Sequence, residues 1–187
     1  MENQTKRDLI ILIDSGDTLV NESTEIRDEN GDVIRADLIE GAKEMLSGLC
    51  ASGYRIALVA DGTTKSFENV YHQHDLYHMF EVKVISQEED VQKPHPHMFK
   101  AAMERMGLTK ADKHRIVMIG NNLQRDTLGA NMMGITSILI SWSPRYVMQP
   151  DMPGEVPDYV VAMPGELTAL LDVLDRQVKN KRILMQA

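Results

Sequence analysis

A short apolar run that ends in an aspartate constrains the fold more than any other stretch of this chain. Residues 9–13 read LIILI, Asp14 follows, and a small polar turn containing Gly16 comes next. Runs of this length and composition are typical of buried parallel strands. A carboxylate at the carboxyl end of such a strand lies where open α/β sheets place their ligand crevices. We therefore interpret Asp14 as the reacting group of a site.

The alternation of strands and helices predicts the fold class. Apolar runs predict strands at residues 8–14, 55–61, 82–86, 115–121, 136–141 and 158–163, and helical spacing predicts helices at 37–52, 64–74, 96–106, 125–133 and 166–179. Asn30-Gly31 lies between two short alternating runs and predicts a small β-hairpin insertion over about residues 20–36. Together these elements predict a three-layer α/β sandwich with a mainly parallel, Rossmann-like sheet. We expect the 187 residues to form a single domain.

Composition argues against several classes of protein. The net charge of −8 makes a nucleic-acid partner a poor expectation, and no apolar stretch reaches the ~18 residues of a membrane span. The first residues are polar and lack an apolar signal core, and the one cysteine, Cys50, permits no internal disulfide. Both features favour a cytoplasmic protein. A homo-oligomer stays open.

Four polar motifs follow predicted strands: DSGDTL at 14–19, VADG at 59–62, KPHPHMF at 93–99 and GNNLQRD at 120–126. In this order and spacing they resemble the four motifs of the haloacid dehalogenase-like (HAD) hydrolase superfamily, over most of the chain. That family consists mostly of phosphatases, in which an aspartate attacks phosphorus and water hydrolyses the resulting aspartyl-phosphate. The resemblance implies that Asp14 is the nucleophile and that Lys93 neutralises charge.

The resemblance also implies Mg²⁺ as a cofactor and a phosphorylated substrate. A carboxylate and a phosphate repel each other by about 4 kcal/mol for each pair of unit charges 4 Å apart at an effective dielectric constant of about 20. A cation offsets that repulsion. The implied ligands are Asp14, the backbone carbonyl of Gly16, Asn121 and Asp126. Asn121 replaces an acidic ligand of the family, and a neutral amide is a weaker one.

Two further motifs depart from the family pattern. Its phosphatases have Asp, any residue, Asp, Gly, Thr, whereas here Gly16 and Asp17 stand in the reverse order. The acid/base has either moved by one residue to Asp17, which Gly16 favours because it allows the turn unusual dihedral angles, or been lost, in which case general acid–base catalysis worth about 10²–10⁴-fold is missing. In the second motif Ala60 stands where a phosphate-binding Ser or Thr is usual. Backbone N–H groups near Asp61 and Gly62 are then the expected substrate contacts.

These departures leave three functions open. The chain is a Mg²⁺-dependent phosphatase, a binding module that kept the fold and binds a phosphorylated partner, or a metal-independent dehalogenase. The dehalogenase ranks third, because it needs an aromatic halide pocket and this chain is only 5% aromatic.

The spacing of the motifs also predicts that the lid domain common in the family is absent. Only the hairpin fits between the first motif and residue 37, and one helix and one strand occupy the stretch between Gly62 and Lys93. An open site favours a large substrate, such as a protein, or a neighbouring subunit acting as the lid. The hairpin residues 24–35 and the loop 141–146 are the expected rims, where Arg125 and Arg145 either contact an anion or are ordinary surface residues.

Overall fold

The computed structural model describes residues 7–143 and 145–186. In chain order its elements are β1 (Ile10–Ile13), β2 (Val20–Arg27), β3 (Val33–Leu38), α1 (Ala42–Ala51), β4 (Arg55–Ala60), α2 (Thr64–Gln73), β5 (Val82–Ile85), α3 (Ser86–Glu89), α4 (Pro96–Arg105), β6 (Ile116–Gly120), α5 (Leu128–Met133), β7 (Thr136–Ile140), β8 (Tyr159–Val161) and α6 (Pro164–Gln186). A π-helical turn, Leu123–Thr127, precedes α5.

Six of the strands form one parallel sheet in the order β5-β4-β1-β6-β7-β8. β1 lies in the middle, with Ile11 opposite Ile56 of β4 and Val117 of β6. This arrangement confirms the predicted α/β sandwich with a parallel sheet. Because β4, β1 and β6 are neighbours, the turns that leave their carboxyl ends lie side by side.

The two faces of β1 pack against different helices. Ile11 and Ile13 belong to the core cluster that contains the buried residues of α1, α2 and α6. Ile10 and Leu12 belong to the cluster formed with α4 and α5. Successive side chains of a strand point to opposite faces, so a strand covered on both faces has to be apolar throughout.

The hairpin β2–β3 lies outside the main sheet and pairs antiparallel, as Asn30-Gly31 predicts. It is fixed to α2 at Val33, whose N–H donates to Ser66 Oγ at 2.8 Å and whose carbonyl accepts from Asn69 Nδ2 at 2.9 Å. These bonds hold the hairpin beside the carboxyl end of β1.

Two element boundaries differ from the predictions by more than three residues. β3 extends to Leu38, which pairs with Val20, so α1 begins at Ala42 and the helix predicted from residue 37 starts late. The last helix runs from Pro164 to Gln186, longer than the predicted 166–179. Among the described residues, no helix is both long and apolar enough to cross a membrane.

Candidate active site

A small cavity of about 30 Å³ opens at the carboxyl ends of β1, β4 and β6. Its wall is formed by Asp14, Gly16, Glu22, Asp61, Lys93, Asn121, Asn122, Arg125, Asp126 and Tyr146. Six of the eight site residues predicted from the sequence therefore meet here: Asp14, Gly16, Asp61, Lys93, Asn121 and Asp126. The other two, Asp17 and Gly62, lie outside this wall.

Lys93 forms the centre of the cavity floor. Its Nζ lies 2.6 Å from Asp14 Oδ1 and 2.8 Å from Asp126 Oδ1, and it donates to the carbonyl of Val59 at 2.8 Å. Burial by itself lowers the pKa of Lys93, but the carboxylates of Asp126 and Asp14 outweigh it and raise the pKa above its ordinary value. Lys93 is therefore a buried ammonium group that bridges two acidic side chains at neutral pH.

Asp126 reaches the cavity because Gly120 leaves room for it. A Cβ on Gly120 would lie 2.2 Å from Asp126 Cγ, closer than real contacts allow. Asp126 Oδ2 accepts a hydrogen bond from the Asn122 N–H at 3.1 Å. Complete burial raises the pKa of Asp126, and Lys93 opposes the shift only in part.

The donor atoms around the cavity fit a magnesium ion. Carboxylate and amide oxygens are the ligands that Mg²⁺ prefers in proteins, and Asp14, Asp126 and Asn121 supply them beside the backbone of Gly16. Asp126 Oδ1 makes no hydrogen bond of ordinary geometry to a described residue. Asn121 Nδ2 is also buried without a partner among those residues, but it is a hydrogen-bond donor, so Asn121 would ligate a cation through its amide oxygen. In the described part of the chain no three His, Cys, Asp or Glu side chains surround one point. A cation here would therefore need the amide and the carbonyl as well as the two carboxylates.

Asp61 and Gly62 are placed differently from each other. Asp61 Oδ1 accepts from the Lys93 N–H at 3.0 Å, and its Oδ2 lies 3.6 Å from Arg125 Nη1. Burial raises the pKa of Asp61, against the opposing effect of Lys93. The Gly62 N–H donates to Ser86 Oγ at 2.9 Å and is already used in this conformation. Arg125, with 43% of its side chain exposed, is the better placed group for an anion.

The structure does not bring the Asp17 carboxylate to the cavity. Asp17 is fully buried, and its Oδ1 accepts from the Glu22 N–H at 3.0 Å. Its Oδ2 accepts from Ser143 Oγ at 3.3 Å and forms an ion pair with Arg145. The unusual dihedral angles that Gly16 was expected to allow in this turn occur at Asp17, where φ is 46°. Asp17 thus anchors the hairpin and the loop that carries Arg145, and this placement does not support its expected role as acid/base.

Glu22 is a site residue that the sequence reasoning missed. It lies on β2, and its Oε2 is 3.3 Å from Arg145 Nε. Burial, followed by the charges of Asp17 and Glu25, raises the pKa of Glu22 to about 7. The one signal in the sequence is the missing second aspartate of the first motif, which does not indicate where a replacement would come from.

A larger groove of about 150 Å³ adjoins the cavity between the hairpin and α2. The groove and the cavity share Gly16, Glu22 and Asp61. The apolar part of the groove wall consists of Val20, Val33, Phe67 and Val70. Both predicted rims contribute: residues 25, 27 and 33 line the groove, and Tyr146, among the described residues of the loop 141–146, lines the cavity.

Comparison with known proteins identifies relatives of this chain. The family model described as haloacid dehalogenase-like hydrolase matches residues 8–140. Glyceraldehyde 3-phosphate phosphatase of Methanopyrus kandleri is 31% identical over 129 residues, which cover 68% of this chain and 52% of that protein. The enzyme of the same name from Pyrococcus furiosus is 31% identical over 140 residues, covering 74% and 55%. The chain thus spans about half the length of these curated relatives.

A solved structure shows the same fold over nearly the whole of its chain. A HAD phosphatase from Thermococcus onnurineus superposes with a TM-score of 0.71 at 18% sequence identity. The match covers 87% of this chain and 97% of that one. At this level of identity the similarity establishes the fold.

Proposed function

The chain belongs to the haloacid dehalogenase-like hydrolase family, and on that premise we propose that it is a Mg²⁺-dependent phosphatase that forms an aspartyl-phosphate on Asp14. The observation that carries the proposal is the arrangement around Lys93, whose ammonium group lies within 2.8 Å of both Asp14 and Asp126 at the end of the central strand. This is a nucleophile and a cation held together where a parallel sheet binds ligands.

The two oxygens of Asp14 have different surroundings. Oδ1 accepts a short hydrogen bond from Lys93, whereas Oδ2 has only a long contact of 3.4 Å with Thr18 Oγ1. Oδ2 is therefore the atom that attacks phosphorus. The bond from phosphorus to the leaving oxygen breaks, and water then cleaves the aspartyl-phosphate. Lys93 and Arg125 offset the charge that the phosphoryl group brings to the cavity.

The proposed cation site uses the residues named above. Asp14, Asp126, the amide of Asn121 and the carbonyl of Gly16 would hold Mg²⁺, which when bound supplies further positive charge to the phosphoryl oxygens. Asp61 contributes indirectly, because it accepts from the backbone of Lys93.

We propose a small phosphate ester as the substrate. Two curated relatives are named for glyceraldehyde 3-phosphate, and the groove beside the cavity holds about 150 Å³. In the described residues the stretch between β1 and α1 contains the hairpin, and the stretch between β4 and β5 contains α2 and one short turn. The site is therefore proposed to be open, so a phosphopeptide is the second substrate to test.

Hydrolysis of 4-nitrophenyl phosphate and glyceraldehyde 3-phosphate, with and without Mg²⁺, tests the proposal. We expect turnover that needs both Mg²⁺ and Asp14, so Asp14→Asn abolishes it. Asp75→Asn is the matched control, because the Asp75 side chain is 92% exposed. Binding of a phosphopeptide without any Asp14-dependent turnover would favour the binding module. Metal-independent release of halide from a haloacetate would favour the dehalogenase.

A further inference from the structure

We propose that Glu22 supplies the acid/base carboxylate that the first motif lacks; this inference rests on the proposed phosphatase function. The resemblance places that carboxylate two residues after the nucleophile, where this chain has Gly16. Glu22 comes instead from the hairpin and reaches the same place through space.

The space above Gly16 is already filled by Glu22. A Cβ built on Gly16 would lie 1.9 Å from Glu22 Oε1, 2.8 Å from its Cδ and 3.1 Å from its Cγ. Gly16 has no left-handed backbone that would require a glycine. In this conformation the Glu22 carboxylate occupies the volume that a side chain at position 16 would take, so any residue larger than glycine there would require Glu22 to move.

Glu22 also lies where a leaving group has to pass. It belongs to the wall of the cavity that contains Asp14 and to the wall of the larger groove. A phosphoryl group beside Asp14 with its ester group in the groove would place the bridging oxygen at the junction, next to Glu22. Asp61 shares the junction, but its Oδ1 accepts from the Lys93 N–H, and its Oδ2, which makes no hydrogen bond to a described residue, lies 3.6 Å from the Arg125 guanidinium.

The orientation of Glu22 is fixed from two sides. Its backbone N–H donates to Asp17 Oδ1 at 3.0 Å. Its Oε2 lies 3.3 Å from Arg145 Nε, and the same guanidinium pairs with Asp17. Oε1 is left facing Gly16 and the cavity. Asp17, the acid/base expected from the sequence, is on this view a positioning residue for Glu22.

Glu22 gives up a proton in the first step of the reaction and takes one back in the second. As Asp14 Oδ2 bonds to phosphorus and the bond to the leaving oxygen breaks, the protonated Glu22 gives its proton to that oxygen, and the alcohol leaves. Glu22, now a carboxylate, accepts a proton from water while the water oxygen attacks phosphorus. The bond from phosphorus to Asp14 breaks, which releases inorganic phosphate and restores the Asp14 carboxylate and the Glu22 acid.

The test compares two leaving groups in the Glu22→Gln variant. The alkoxide released from an alkyl phosphate is a strong base and has to be protonated as it leaves. The 4-nitrophenolate released from 4-nitrophenyl phosphate is a weak base and leaves without a proton. We expect phosphorylation of Asp14 by the alkyl ester to slow by about 10²–10⁴-fold, and phosphorylation by 4-nitrophenyl phosphate to change far less. With 4-nitrophenyl phosphate the variant should then accumulate phosphorylated enzyme, detected by mass spectrometry, because water lacks its base.

Controls separate this role from others. Glu29→Gln, at an exposed position of the same hairpin, should leave both rates unchanged. The Mg²⁺ concentration for half-maximal rate should be the same in Glu22→Gln as in the wild type, because the proposal gives Glu22 no contact with the ion. A large shift in that concentration would make Glu22 a metal ligand and overturn the proposal.

A rescue experiment covers the case in which Glu22→Gln disturbs the hairpin. Glu22→Ala removes the three atoms that crowd position 16, so Gly16→Asp/Glu22→Ala should recover much of the alkyl phosphatase activity that Glu22→Ala loses. The inference alone is overturned if Glu22→Gln leaves phosphorylation of Asp14 by the alkyl ester unchanged. It is also overturned if Glu22→Gln slows phosphorylation equally for both esters and Gly16→Asp/Glu22→Ala is no faster than Glu22→Ala. A wild type without Asp14-dependent turnover would overturn the proposed function, and this inference with it.

Discussion

Replacing Lys93 by methionine tests the charge arrangement of the site. The change keeps most of the buried chain but removes the Nζ that lies 2.6 Å from Asp14, 2.8 Å from Asp126 and 2.8 Å from the Val59 carbonyl. Two buried carboxylates then face each other without a cation. Removing one partner of a buried ion pair costs about 3–5 kcal/mol, a large part of the roughly 5–15 kcal/mol that stabilises a typical domain.

Urea denaturation at neutral pH measures this loss. Lys65→Met is the matched control, because Lys65 pairs with Asp28 and Asp32 while 54% of its side chain is exposed. Exposed pairs contribute about 0–1 kcal/mol. The raised pKa of Lys93, against an ordinary value of 10.5, means that its contribution is present below that pH and is lost as the pH rises through the folded value. Because the variant also loses the cation that opposes the raised pKa of Asp126, the difference from the wild type should not shrink between about pH 7 and about pH 9. A loss below about 1 kcal/mol, or one equal to that of Lys65→Met, would refute the buried cluster.

Three further outcomes follow from the structure. Gly120→Ala should lower the free energy of unfolding by about 1–3 kcal/mol, because its Cβ would lie 2.2 Å from Asp126 Cγ. Gly48→Ala, in α1 with no other described atom within 4 Å of the new Cβ, should raise the free energy of unfolding by about 0.5–1 kcal/mol. Equal urea midpoints for the two variants would contradict both expectations. Asn121→Asp adds a charged oxygen to the proposed cation site and should lower the Mg²⁺ concentration for half-maximal rate; an unchanged value would remove residue 121 from the ligand set. Asp175 accepts from the backbone N–H groups of Asp8 and Leu9, just before β1. Despite the burial of Asp175, these bonds and the one from Lys179 lower its pKa below 3.8. Asp175→Asn should lower the free energy of unfolding by about 1–3 kcal/mol at neutral pH. This loss should shrink as the pH falls below 3.8, where the wild type loses the same stabilisation. A loss in urea denaturation that does not change between neutral pH and about pH 3 would contradict the lowered pKa of Asp175.

The sequence predicted the sheet and the edge at which the site lies, because both depend on local signals. Apolar runs closed by polar turns marked the strands, and the carboxyl ends of neighbouring parallel strands bring Asp14 and Asp126 together whatever the connecting helices do. The start of α1 was predicted too early, because the pairing of Leu38 with Val20 extends β3. That pairing depends on where the hairpin lies, and helical spacing in the sequence does not report it.

Glu22 could not be predicted for the same reason. Its distance from Gly16 is set by how the hairpin packs on α2 through Val33, Ser66 and Asn69. Nothing in the residues around Glu22 differs from an ordinary solvent-facing strand. The role of Glu22 depends on contacts between the hairpin and α2, which are distant from each other in the sequence.

Both residues of the reversed Gly16-Asp17 pair help to position the Glu22 carboxylate. Glycine at position 16 opens the volume that Glu22 Oε1 fills. Aspartate at position 17 adopts a φ of 46°, which aspartate tolerates better than most residues. Its carboxylate then holds both the Glu22 N–H and Arg145, which in turn holds Oε2. The double variant Gly16→Asp/Asp17→Gly, which restores the usual order of the family, would crowd Glu22 and remove its anchor in one change. On the proposed mechanism that variant should be slower than the wild type unless Glu22 is also shortened, so the first motif and the hairpin have to be considered as one unit.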